Sequence, residues 1–331
     1  MKDTLNLYFE AVVSNKNTEA DFYQRAVQES AANLVVVDHP DRADWILFTD
    51  CFSKNDFCQL LKHPVMQRFP EKSLVISESD EPIEFFPGFY TSGLKKGRLK
   101  EFISGWYYPY FREVFPHKNG GFVESNFKRY LASFTGYPSH IIRKKLSRRW
   151  QDDPDIRVSI KTDYNHFSDY KLESTLEARE RYMTTMSQSH FSLCPRGRGH
   201  SSLRIFESMQ AGIPPVIISD NWNAPEFLDW ESFSVRIPSR DIGHLKSILE
   251  PIKENSVEMG AIAKNHWNRI FSPDKLAHSL ERSLREISRT WSQYQKPSSI
   301  ALRFIQIDRQ IRFKSAYYRA RLYNAAEYFR P

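Results

Sequence analysis

The run FSLCPRGRGHSSLRIFESMQAGIPPVIIS, residues Phe191–Ser219, narrows the folding choices of this chain more than any other stretch. Phe191–Cys194 is a short apolar strand, and Pro195 ends it because proline donates nothing to a continuing ladder. Arg196–Gly199 alternates cations with glycines, and Ser201 and Ser202 then stand where they would cap a helix over Leu203–Ala211. Gly212 stops that helix, Pro214 and Pro215 prevent its continuation, and Pro215–Ser219 is a second apolar strand. Strand, helix and strand in succession argue for a parallel sheet covered on both faces.

The same alternation fills the first third of the chain. Leu5–Val13, Leu34–Val37, Ala43–Phe48 and Ser73–Ser77 read as strands, with helices over Asp21–Ala32 and Phe52–Leu61. The pattern restarts near residue 125. A strand over Phe127–Phe134 and a turn at Thr135–Pro138 precede a helix that Ser139 would cap and that runs to Trp150. Ile142, Leu146 and Trp150 share one face of it, and a further helix over Leu172–Ser187 leads into the Phe191 strand. The expected fold class is α/β, with two Rossmann-like domains (1–124 and 125–290) facing a cleft and a basic aromatic helical tail over 291–331.

Composition bounds the partners. The chain of 331 residues carries a net charge of +7, which permits an anionic partner, but no recognition motif accompanies it and nucleic acid is not expected. From Lys296 onward eight Lys and Arg stand against two carboxylates, with Phe304, Ile311, Tyr318 and Phe329 near one helical stripe. That tail reads as a helix docked on the body or as a peripheral membrane contact through 296–331. Cys51, Cys58 and Cys194 make no disulfide framework or metal spacing, and no signal peptide or membrane span is evident. A cytoplasmic protein, peripheral at the inner face of the membrane if the tail binds lipid, is the expectation. Asp153-Pro154-Asp155 has the spacing of a metal-holding carboxylate pair but sits in a polar connection and reads as a turn. No divalent metal or other cofactor is expected.

The chemistry concentrates in the Phe191 run. Gly197 and Gly199 let backbone approach a ligand, the guanidinium groups of Arg196 and Arg198 flank it, and the N–H groups opening the Leu203 helix add positive potential. This combination suits a diphosphate. Glu207, about one turn into the helix, can accept both hydroxyls of a ribose, or it can pair with Arg204 on the helix face. Asp220 emerges from the second strand on the ligand edge.

The stretch CPRG…SS.RIFE.M.AG.PPVIISD…P…DW..FSVRIP resembles the signature of the exostosin family, glycosyltransferase family 47, and SFTGYPSHIIRKKL and ADWILF add to the resemblance. It implies a GT-B fold and an inverting transfer from a nucleotide-sugar, commonly UDP-linked, to a glycan or lipid-linked saccharide in polysaccharide synthesis. By motif position Arg196 and the turn Gly197, Arg198, Gly199, Ser201 and Ser202 would face the diphosphate. Glu207 would hold the ribose, and Gly136, Ser139 and Arg143 would line the opposite wall. Arg196 would also stabilise the leaving group, and inversion needs a base on the acceptor side. Asp50, Glu78, Asp80 and Glu81 end strands in the first half, and Asp80 and Glu81 rank ahead. A catalytically silent GT-B-like protein that binds nucleotide-sugar within a polysaccharide-making complex is the alternative.

Overall fold

The computed structural model describes residues 3–12, 19–80, 86–95, 103–109, 127–160 and 173–291. The chain divides into two units, and both are α/β. The first takes Met1–Tyr110, the short segment Trp222–Glu226 and the chain from Ser272; the second takes Phe111–Asn221 and Phe227–Phe271.

The first unit is built on six strands: β1 (Leu5–Ala11), β2 (Leu34–Val36), β3 (Trp45–Thr49), β4 (Ser73–Ser77), β5 (Gly88–Tyr90) and β6 (Ile103–Gly105). They lie in the order β2-β1-β3-β4-β5-β6, every pair parallel. β3 and β4 are buried at every position, which is why ADWILF and SLVIS read as continuous apolar runs. The strands β5 and β6, three residues each, are additions to the sequence reading. Helices over Glu19–Gln28 and Lys54–Lys62 join the early strands, the second closed by a Ser53–Asp56 capping box.

The second unit holds β7 (Tyr130–Gly136), β8 (Ile156–Ile160), β9 (Ser189–Pro195), β10 (Pro215–Ile218) and β11 (Val235–Arg236). Their order is β11-β10-β9-β7-β8, again all parallel. The helix Ile141–Trp150 buries Ile142, Leu146 and Trp150 as their spacing requires, and Trp150 Nε1 donates to Ile242 O at 2.8 Å. Its cap is not Ser139, as expected, but His140, whose Nδ1 accepts from Ile142 N at 3.3 Å. The helix Leu203–Ala211 ends at Gly212 with φ of 71°, a left-handed position. Gly212 meets Gly260 of the helix Ser256–His266, where a Cβ would lie 2.1 Å from Gly212 O.

The expected boundaries need correction at two places. The helix Leu276–Trp291 falls within the expected second domain, yet it belongs to the first unit. Leu276, Leu280, Leu284 and Ile287 are buried at helical spacing, Glu281 Oε2 accepts from Asn33 N at 3.0 Å, and Trp291 Nε1 donates to Glu71 O at 2.9 Å. Trp222–Glu226 also joins the first unit, where the fully buried Trp222 donates through Nε1 to Thr91 O at 2.9 Å. The tail beyond Trp291, with its docked-helix and membrane readings, lies outside the described residues.

Candidate functional site

In the second sheet β7 lies between β8 and β9, so the chain leaves β7 and β9 toward opposite faces. Open α/β sheets bind ligands at such a reversal, beyond the carboxyl ends of the strands. The loops that leave there are 137–140 and 196–202. They contain Ser139 and the whole expected diphosphate turn.

Arg143 fastens the two loops together. Its Nη1 donates to Tyr137 O at 3.0 Å, its Nε to Arg196 O at 3.0 Å and its Nη2 to Pro195 O at 3.2 Å. The close approach explains Gly197: a Cβ there would lie 3.2 Å from Arg143 Nη2 and 3.5 Å from Ser139 Oγ. Ser139 itself is exposed.

Arg196 does a different job from the one its position in the motif suggests. It is 1% exposed, and its guanidinium turns back into its own loop. Nε donates to Gly199 O at 3.1 Å, Nη2 to Arg198 O at 2.9 Å, and Nη1 meets His200 Nδ1 at 2.9 Å. One planar cation therefore braces three successive residues of the turn, which a lysine could not do. Arg198 is the exposed cation of the pair. Ser219 Oγ donates to His200 O at 2.7 Å and pins the turn to the end of β10.

The start of the helix Leu203–Ala211 is open in the chemical sense. Ser202 occupies the cap position in extended conformation but makes no side-chain cap bond, contrary to the expectation that both serines would cap. Ser201 is buried, and its Oγ has no partner. An uncapped helix start beside an unpartnered buried hydroxyl leaves donors without an acceptor, in a turn that Arg143 and Arg196 brace and that carries the exposed cation Arg198.

His140 and His200 are the buried titratable groups of these loops. Both are pushed down to about 3, first by burial and then by the neighbouring Arg196 charge. The hydrogen bonds agree, since each Nδ1 faces a donor and so must carry no proton. The fold thus holds both rings neutral, while the unfolded chain protonates them near 6.5. Their contribution to stability is complete above that value and falls as pH drops from about 6.5 toward 3. We expect the urea midpoint to be lower at about pH 5 than at about pH 7, with a shallower fall in a His140→Asn/His200→Asn variant.

Glu207 is 8% exposed, and its Oε2 accepts from Tyr182 Oη at 2.7 Å. Arg204 lies over the Phe134 ring at 4.6 Å and the Tyr182 ring at 5.3 Å. Its Nη2 donates to Thr135 O, reaching past Gly136, where a Cβ would lie 2.9 Å from that nitrogen. Gly136 therefore makes room for Arg204 at the end of β7. Tyr182, His140 and His200 escaped the sequence reading: nothing in the Glu173–Ser187 helix marks one tyrosine, and a buried histidine has no motif.

The remaining candidates are elsewhere. Asp220 is exposed and holds Ser239, accepting from its N at 2.8 Å and from its Oγ. Asp80 is exposed after β4, Glu78 is buried, and Glu81 lies outside the described residues. Asp50 has a structural duty: its Oδ1 accepts from Glu19 N at 3.1 Å while Glu19 Oε2 accepts from Asp50 N at 2.8 Å, a reciprocal cap on the Glu19–Gln28 helix. Asp153 and Asp155 do form a turn, in which Asp153 Oδ1 accepts from Asp155 N and Ile156 N and Lys246 pairs with both carboxylates. Among the described residues no three His, Cys, Asp or Glu side chains gather as a metal site would need. Cys194 is buried, and burial raises its thiol to about 12, which suits a packing role.

Residues 105–252, which contain both loops, match the family model described as the Exostosin GT47 domain. Over that stretch the chain is similar to the exostosin GT47 domain. A protein named probable glycosyltransferase from Arabidopsis thaliana is 35% identical over 127 residues, 38% of this chain and 24% of that protein. The exostosin-1 homolog of Caenorhabditis elegans is 29% identical over 176 residues, 49% of this chain and 46% of that protein. The match thus spans between about a quarter and a half of these relatives. Among solved structures, the crystal structure of TarM is similar at a TM-score of 0.38 and 10% identity, covering 81% of this chain and 57% of that one. The matched stretch takes in all five strands of the second sheet, together with the switch-point loops. No described helix is long and apolar enough to cross a membrane.

Proposed function

We propose that the chain binds a nucleotide-sugar, UDP-linked, at the switch point of the second sheet and passes the sugar with inversion to a hydroxyl of a glycan or lipid-linked saccharide. The observation that carries this reading is the uncapped start of the helix Leu203–Ala211 beside the unpartnered Ser201 hydroxyl. Diphosphate oxygens would complete both. In the reaction the acceptor oxygen bonds to the anomeric carbon as the bond from that carbon to the diphosphate oxygen breaks. The electron pair leaves on the diphosphate, and the acceptor proton passes to a carboxylate, for which Asp80 and Glu81 are the candidates. Fixed N–H groups and the charge of Arg198, presented by the turn that Arg196 braces, would act on the oxygen that gains charge, so they favour the transition state over the ground state. Glu207 would accept the ribose hydroxyls. Metal plays no part in this scheme, and residues 296–331 would give peripheral contact with the cytoplasmic face of a membrane.

The test is incubation of the full chain with radiolabelled UDP- and GDP-sugars and a panel of saccharide and lipid-linked acceptors. Transfer, or slow donor hydrolysis, is the expected result. Nucleotide binding without either across the panel would favour the catalytically silent protein, and absence of nucleotide binding would remove the site altogether.

A further inference from the structure

We propose that Tyr182 is a positioning residue that sets the preference of the donor site for ribonucleotides, by fixing the carboxylate of Glu207 that receives the ribose. This rests on the placement of Glu207 at the ribose in the preceding section.

A carboxylate rotates about its last bond unless something holds it, and a freely turning acceptor discriminates poorly between a hydroxyl and its absence. Glu207 is held by a contact that comes from a different element. Tyr182, on the helix Glu173–Ser187, donates to Oε2 at 2.7 Å. The tyrosine is in turn fixed by the Arg204 guanidinium over its ring at 5.3 Å, and Arg204 is tied to Thr135 O at the end of β7. Burial, and then the Glu207 charge, hold the phenol well above its usual range, so Tyr182 remains the donor of the pair. The chain of contacts runs from β7 through Arg204 and Tyr182 to Glu207, so the carboxylate plane is referenced to the same strand end that forms the switch point.

Removing the phenolic oxygen tests this with little change of shape. Calorimetric titration of the full chain with UDP and with 2′-deoxy-UDP gives the ratio of interest. For the unmodified chain we expect UDP to bind about tenfold or more tighter, the size of a hydrogen bond to a charged group. In Tyr182→Phe that ratio should shrink to about threefold or less, with 2′-deoxy-UDP affinity changed less than about twofold. In a Glu207→Ala background the same replacement should change nothing, because Tyr182 acts through Glu207. A tyrosine variant that keeps the full ratio overturns the proposal, as does one that weakens both nucleotides equally or still acts without Glu207. If the unmodified chain binds both nucleotides but does not distinguish them, it is the ribose role of Glu207 that fails. If Tyr182→Phe shows no cooperative melt, Arg204→Lys takes its place, since it frees the tyrosine ring while leaving the phenol, and an unchanged ratio there overturns the proposal.

Discussion

Arg196→Ala is expected to abolish measurable donor binding, a loss of at least about a hundredfold, and to lower stability by about 2–4 kcal/mol. The two losses have one cause. The guanidinium is buried and bonded to Gly199 O, Arg198 O and His200 Nδ1. Truncation leaves these acceptors without their donor inside a turn that has no regular structure to fall back on, at about 1–3 kcal/mol for each that water cannot reach. The turn then has no reason to keep the shape that presents the helix start. Arg196→Lys retains the charge but cannot satisfy acceptors spread around a planar fork, so it should fall between the two. Calorimetry with UDP and urea unfolding measure the pair of effects. Wild-type affinity in an Arg196→Ala protein that is measurably less stable would show that the turn's shape is not what binds the donor.

Gly260→Ala should cost about 3 kcal/mol or more and also weaken donor binding. A methyl group at this position would stand 2.1 Å from Gly212 O, and the obstacle is backbone, which cannot rotate away as a side chain would. Gly212 is itself the left-handed stop of the helix Leu203–Ala211, with its N–H bonded to Met209 O at 3.1 Å. The crossing helix must therefore separate from the donor helix or tilt it, and either movement shifts the uncapped end. Urea unfolding reads the first effect and UDP titration the second. An alanine variant within about 0.5 kcal/mol of the parent would mean that the helices can separate at little cost.

How much of this was legible depends on whether the signal was local. The helix Leu203–Ala211 matches its expected span because a proline-ended strand, the glycine stop and two prolines are all written within the segment itself. The strand β8 was missed although Ile156 and Val158 alternate with Arg157 and Ser159, because the Asp153-Pro154-Asp155 turn draws the whole stretch toward a polar connection. At the helix Ile141–Trp150 the better capping residue, Ser139, lost to His140, whose ring is turned inward by burial between the loops. The site shows the same division. That the Arg196 turn and Glu207 belong to one strand–helix unit was readable from spacing. The direction of the Arg196 guanidinium was not, since it depends on carbonyls that face it only after the turn has closed, and Tyr182 comes from a helix that a sequence cannot orient toward Glu207.

The return of the helix Leu276–Trp291 to the first unit has a consequence for biosynthesis. The unit that begins to emerge from the ribosome first cannot seal its own hydrophobic surface until nearly the last described residues have been made. The intervening unit closes its chain by Phe271 and can mature ahead of it. Nascent chains released early should therefore keep a protease-resistant middle while their amino-terminal third is digested.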